Sequence, residues 1–131
     1  MAHEPIPVTD AEATVMEVLW QSSPRSSEDV VAAVAPATGW AEPTIKTLLN
    51  RLLNKGAISA EREGRRYLYS PVLSREAWVE QQSEGLLARL FGGRVAPLVA
   101  HFSERGRLSA TDIAELKRLV SRLEEGGDDG R

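Results

Sequence analysis

Apolar residues recur along this chain with two periods, and the change of period organises it. In TDAEATVMEVLWQ, residues 9–21, Ala11, Val15, Val18 and Leu19 fall on one stripe of a helix. Thr9 and Glu12 form a capping box at its start. SSPRS reads as a loop. Ser27 then caps a short second helix, EDVVAAVA, with acids in the first turn where the helix dipole favours them, and Pro36 ends it. PATGW reads as a turn that feeds a third helix over 42–55. There Ile45, Leu48, Leu49, Leu52 and Leu53 make a helical stripe, and Gly56 suits the stop. After Gly56 the period becomes two. AISAEREGRRYLYSPV predicts a hairpin with a tight turn around Glu63-Gly64, Arg62, Arg65 and Arg66 near its tip, and Tyr67 and Tyr69 on one face.

The helical period then returns. Ser74 caps a fourth helix, REAWVEQQSEGLLARLF, closed by Gly92-Gly93, and APLVAHF makes a short fifth with Pro97 in its first turn. Ser109 and Asp112 cap a sixth, with Leu108 and Ile113 placed as a hydrophobic staple. Ile113, Leu116, Val120 and Leu123 follow at spacings of three and four, a short heptad-like seam. The expected fold class is mainly α with a small β-hairpin, in two domains. Residues 1–72 form a winged helix-turn-helix, residues 73–124 a helical arm, and 125–131 a Gly-rich tail without fixed structure. The arm carries Leu86, Leu87, Leu90, Phe91, Leu98, Val99 and Phe102 besides the seam of its last helix. Three small helices bury so much apolar surface poorly alone, and a second copy across a two-fold axis is the simplest partner.

Composition narrows the function. A hydrophobic fraction of 42% in 131 residues is that of a globular protein. The absence of cysteine excludes disulfides, thiolate metal sites and cysteine nucleophiles, and His3 and His101 share no ligand spacing. No Ser/His/acid set, phosphate loop or metal cluster is visible, so neither an enzyme nor a cofactor is expected. With no apolar run of spanning length and no signal-peptide pattern, a cytoplasmic protein without membrane insertion is expected. The overall charge of −3 disfavours nucleic acid, but its distribution does not. Residues 41–72 carry six cations against three acids, whereas 1–40 carry one cation against six acids. A local basic patch steers a protein to phosphate.

The order helix, helix, short turn, helix, hairpin fixes where that patch acts. In helix-turn-helix docking the second helix of the motif enters the major groove by its N-terminal residues. Here those are Pro43, Thr44, Lys46 and Thr47, with Asn50 beyond them. Arg51 and Lys55 follow toward phosphate, and Arg65, Arg66 and Tyr67 belong to the wing. Threonine donates, accepts and offers a methyl to thymine. An amphipathic helix with a cationic outer face is by itself ordinary solvated surface. The short turn, the carboxylate-poor face, the arginine-tipped hairpin and the separate arm together favour DNA. The alternative is a winged-helix protein-interaction module whose affinity for DNA is weak and indifferent to sequence. Trp20, Trp40 and Trp78 read as core or inter-helix anchors.

The stretches TDAEATVMEVLW, W-x-x-x-T-I-x-T-L-L-N-R-L-x-x-K-G-A-I, EREGRRYLYSPV and LVAHF, in that order over residues 8–124, resemble the BlaI/MecI/CopY family of penicillinase and copper repressors. The resemblance implies a dimeric winged-helix repressor on double-stranded, palindromic operators built from TACA/TGTA half-sites. In the β-lactam-resistance branch it implies relief by proteolysis triggered through a membrane-bound zinc-protease sensor. The cut falls in a motif resembling Val-Ala-Asn-Phe, matched here by Val99-Ala100-His101-Phe102, which places the scissile bond at His101–Phe102. Histidine replaces the asparagine. The cysteine-rich hook of the copper branch has no counterpart here. The third helix opens Ala41-Glu42-Pro43-Thr44 where the staphylococcal type resembles Ser-Pro-Lys-Thr, so a lysine is gone and an acid has entered.

Overall fold

The computed structural model describes residues 5–127. The element order is α1 (Asp10–Gln21), β1 (Arg25–Ser26), α2 (Ser27–Thr38), α3 (Glu42–Lys55), β2 (Ile58–Glu63), β3 (Arg66–Pro71), α4 (Arg75–Leu90), α5 (Val95–Glu104) and α6 (Ala110–Gly127). The chain divides into two compact units between Gln82 and Ser83, inside α4. The boundary expected at residue 72 lies earlier because the start of α4 belongs to the first unit. Trp20 and Trp78 pack with ring centroids 5.3 Å apart, and the Trp20 indole N–H donates to the Leu73 carbonyl at 2.9 Å.

The first unit has one core. Val15, Met16 and Leu19 of α1, Val30 and Val34 of α2, and Ile45, Leu48, Leu49 and Leu52 of α3 are buried together, with Ala57, Ile58 and Leu73 closing the edge. The period-3.6 stripes produce this directly, since each helix presents one apolar side to the other two. Thr9 and Glu12 form the expected capping box. Gly56 takes φ 80°, a left-handed conformation open to glycine, and ends α3.

Three expectations for this unit need correction. The loop SSPRS contains a strand: Arg25 and Ser26 pair with Tyr69 and Leu68, so the wing is a three-stranded antiparallel sheet ordered β1-β3-β2. Two residues carry too little periodicity to be seen as a strand. Ser26, not Ser27, caps α2, exchanging hydrogen bonds with Asp29 in a second capping box. Pro36 does not end α2, which continues to Thr38 and stops at Gly39 in the left-handed region. Near a C-terminus the proline forfeits one intrahelical hydrogen bond, and the packed first turns carry the helix through it.

The hairpin pairs Ile58 with Pro71 and Glu63 with Arg66, joined by Gly64-Arg65. Gly64 at φ 63° supplies the positive angle that a tight two-residue turn needs at its first position.

The second unit holds the rest of α4 together with α5 and α6. Ser109 and Asp112 make the expected capping box before α6. That helix runs to Gly127, so the expected unstructured tail is helical through residue 127, and residues 128–131 lie outside the described ones. Residues 83–126 contain no buried side chain.

Candidate nucleic-acid interface

Helix α3 is divided lengthwise. Ile45, Leu48, Leu49 and Leu52 are buried, while Glu42, Pro43, Thr44, Lys46, Thr47, Asn50 and Arg51 are exposed. The burial of the stripe therefore points the polar row outward. The helix starts without a side-chain cap, because Ala41 occupies that position, and Pro43 sits in its first turn. Thr47 Oγ1 donates to the Pro43 carbonyl at 2.9 Å, which leaves its lone pairs and methyl facing out. Arg51 makes no ion pair among the described residues.

Two lysines of this helix are engaged. Lys46 Nζ lies 2.8 Å from Glu42 Oε2, one turn back. The hydrogen bond to that carboxylate, and then its charge, raise the Lys46 ammonium above its ordinary pKa. Lys55 was expected at phosphate, but its ammonium turns inward to the Glu12 carboxylate and donates to the Pro7 carbonyl at 2.8 Å. Glu12 is only 1% exposed. Burial pushes its carboxyl up, yet the hydrogen bonds from Lys55 and from the Thr9 N–H, with the Lys55 charge, outweigh this and hold it below the usual carboxylate value. One carboxylate thus caps α1 and ties down the C-terminal end of α3. A buried acid standing alone in the stripe of α1 was the available signal.

The wing is cationic and open. Arg65, Arg66 and Tyr67 are all exposed. Arg66 pairs with Glu63 at 3.1 Å, while Arg65 makes no ion pair among the described residues. The Arg62 guanidinium lies over the Tyr67 ring, 5.9 Å from its centroid, and its Nε donates to the Gly64 carbonyl. Tyr69, on the same strand face by sequence, packs against the core instead.

In the second unit the residues singled out for pairing are open or half-buried. Leu90, Phe102, Ile113, Val120 and Leu123 are exposed, while Leu86, Leu87, Phe91, Leu98, Val99 and Leu116 are partly covered. Leu98, Val99, Phe102, Leu116 and Leu119 line an apolar groove of about 390 Å³ between α5 and α6. His101 is exposed on α5, its ring 5.9 Å from that of Phe91 and 5.1 Å from that of Phe102. Among the described residues no group of acids and histidines is arranged to hold a metal, and no helix is long and apolar enough to cross a membrane.

Known proteins resemble this chain in sequence and in fold. It is 33% identical over 113 residues to the penicillinase repressor of Bacillus licheniformis, covering 86% of this chain and 88% of that one. It is 24% identical to the methicillin resistance regulatory protein MecI of Staphylococcus aureus strain N315, covering 88% and 94%. The solution structure of the DNA-binding domain of the repressor BlaI superposes with a TM-score of 0.52 at 34% identity, covering 57% of this chain and 93% of that domain. The BlaI monomeric form in complex with the blaP half-operator gives 0.50 at 35% identity, covering 56% and 90%. The model of the penicillinase repressor family matches residues 8–122, and this chain belongs to that family of DNA-binding transcriptional repressors.

Proposed function

We propose that two copies of this protein bind one palindromic operator and repress transcription from it. Each copy inserts the N-terminal turns of α3 into the major groove of one TACA/TGTA-type half-site. Pro43, Thr44, Thr47 and Asn50 face base edges, and Arg51 faces phosphate. The wing lies alongside, with Arg65, Arg66 and Tyr67 toward the backbone. The observation that carries the reading is the lengthwise division of α3, whose outward row of Thr44, Lys46, Thr47, Asn50 and Arg51 is polar and exposed. The half-operator complex of the similar BlaI supports it.

The arm supplies the second copy. Its exposed leucines, with the seam of α6, form the self-complementary surface that a two-fold pair needs. Two heads joined in this way bind the two half-sites far more tightly than one head binds either. Relief then follows from anything that separates the heads. Cleavage by a membrane-bound sensor protease at His101–Phe102 would do so. That bond lies within α5, so a protease reaches it only after local unwinding of the helix.

Fluorescence anisotropy tests binding, with the DNA upstream of the gene against a scrambled duplex at several salt concentrations. Tight, salt-dependent preference for the native duplex is expected, and equal, feeble binding to both returns the wing to protein recognition. Incubation with the cognate sensor, followed by mass spectrometry, tests relief: a chain left intact while repression lifts rules out cleavage.

A further inference from the structure

The Glu42–Lys46 pair is out of place on a DNA-reading surface. An exposed carboxylate at the leading end of α3 is repelled by every phosphate it approaches, and it also occupies the nearest lysine. The two side chains are open to solvent and meet at 2.8 Å, with no third partner among the described residues. Nothing in the core needs the pair, since the neighbouring Ile45 and Leu48 are buried on the opposite side.

We infer that the Glu42–Lys46 ion pair is a specificity gate, closed on non-operator DNA and opened by a cytosine in the half-site. The inference rests on the placement of α3 proposed above. A carboxylate only accepts hydrogen bonds. In the major groove guanine presents two acceptors, thymine one, and adenine a donor beside an acceptor, whereas cytosine presents its N4 amine alone. Cytosine is therefore the base that draws Glu42 away from Lys46. Once released, Lys46 is free to meet phosphate. On guanine and thymine the carboxylate finds no donor, and on adenine the N7 acceptor beside the N6 amine repels its second oxygen, so it stays on the lysine and the surface presents one cation fewer to the backbone. Discrimination thus comes from a repulsive element as well as an attractive one.

The test is selection of duplexes from a randomised pool by the full chain and by Glu42→Ala and Glu42→Gln. Thermal unfolding confirms that the variants fold, and binding to a non-operator duplex is measured against salt. The wild-type consensus is expected to hold a cytosine at one position of each half-site. Glu42→Ala loses that preference, by about tenfold or more. Glu42→Gln shifts the same position to adenine, whose N6 and N7 match an amide. Both variants bind non-operator DNA more tightly, with a salt slope steeper by about one because Lys46 is released. A consensus identical at every position in all three proteins overturns the gate while leaving α3 in the groove. A wild-type protein that selects no consensus overturns the repressor reading itself, and the gate with it.

Discussion

The two units carry similar proportions of apolar residues and use them in opposite ways. In the first, every buried apolar residue lies between Val15 and Leu73, and three helices close on one another. In the second, Leu90, Leu119, Val120 and Leu123 of α4 and α6 stand open, and no side chain of residues 83–126 is buried. The difference follows from shape. Helices α1 to α3 pack on one another and against the sheet, so their stripes converge. The helices of the second unit turn apolar rows outward, where only another surface can cover them. The first unit therefore closes its own core, and the second leaves apolar surface that the pairing proposed above would cover. On that proposal the head's fold is independent of protein concentration and the arm's order depends on it.

The sharpest break in that comparison is a cavity in the head. Leu52→Ala should cost about 2–5 kcal/mol in urea unfolding, at any protein concentration. A midpoint that moves with concentration instead would mean that the head, too, depends on a partner. Lys55→Met comes next. It leaves the Glu12 carboxylate buried without its cation, and a loss of about 2–3 kcal/mol is expected, below the full cost of a sealed pair because Lys55 keeps some contact with water. The sign with pH follows from the lowered carboxyl. Stability from Glu12 is present above the ordinary carboxylate pKa and is lost as pH falls through the lower, folded value. Lys55→Met should flatten that part of the acid-unfolding curve, and an unchanged curve would remove the pair from the acid response.

Lys55 also marks where sequence reasoning stops. The helices, their capping boxes at Thr9 and Ser109, the existence of the hairpin and the outward row of α3 were legible because each is fixed within a few residues. The partner of Lys55 lies 43 positions away on α1, and no local pattern announces it. A lysine at the end of a cationic row looks like a phosphate ligand until the packing of α1 on α3 is known. Strand β1 was hidden for the same reason, since it exists only by pairing with β3, far along the chain. Pro36 failed in the other direction: a strong local signal was overridden by the packing of Val30 and Val34. The wing divided evenly, with Arg66 drawn to Glu63 as an across-turn pair and Arg65 left open.

Breaking the arm should leave the head untouched. Leu123 is 70% exposed, so Leu123→Asp changes the stability of a lone protomer by less than about 0.5 kcal/mol. Its effect belongs to association. Sedimentation equilibrium should show self-association weakened by about tenfold or more, with operator affinity falling alongside while the head's affinity for one half-site holds. A dimer that survives both Leu123→Asp and Val120→Asp would place the two-fold interface away from the seam of α6.

The smallest effect separates the units by charge. Arg51 stands open on α3 of the head, whereas Arg118 and Arg122 line one side of α6 in the arm. If only the head touches the duplex, these equivalent charges have unequal consequences. Arg51→Ala should lower the slope of log affinity against log salt by about one for operator and random duplex alike, because one phosphate contact is lost. Arg118→Ala should leave the slope unchanged, since a cation that meets no phosphate releases no counterion. Equal slopes for Arg51→Ala and wild type would take Arg51 out of the interface. A slope that falls with Arg118→Ala would bring the arm onto DNA, and the division of labour between a reading head and a pairing arm would then have to be redrawn.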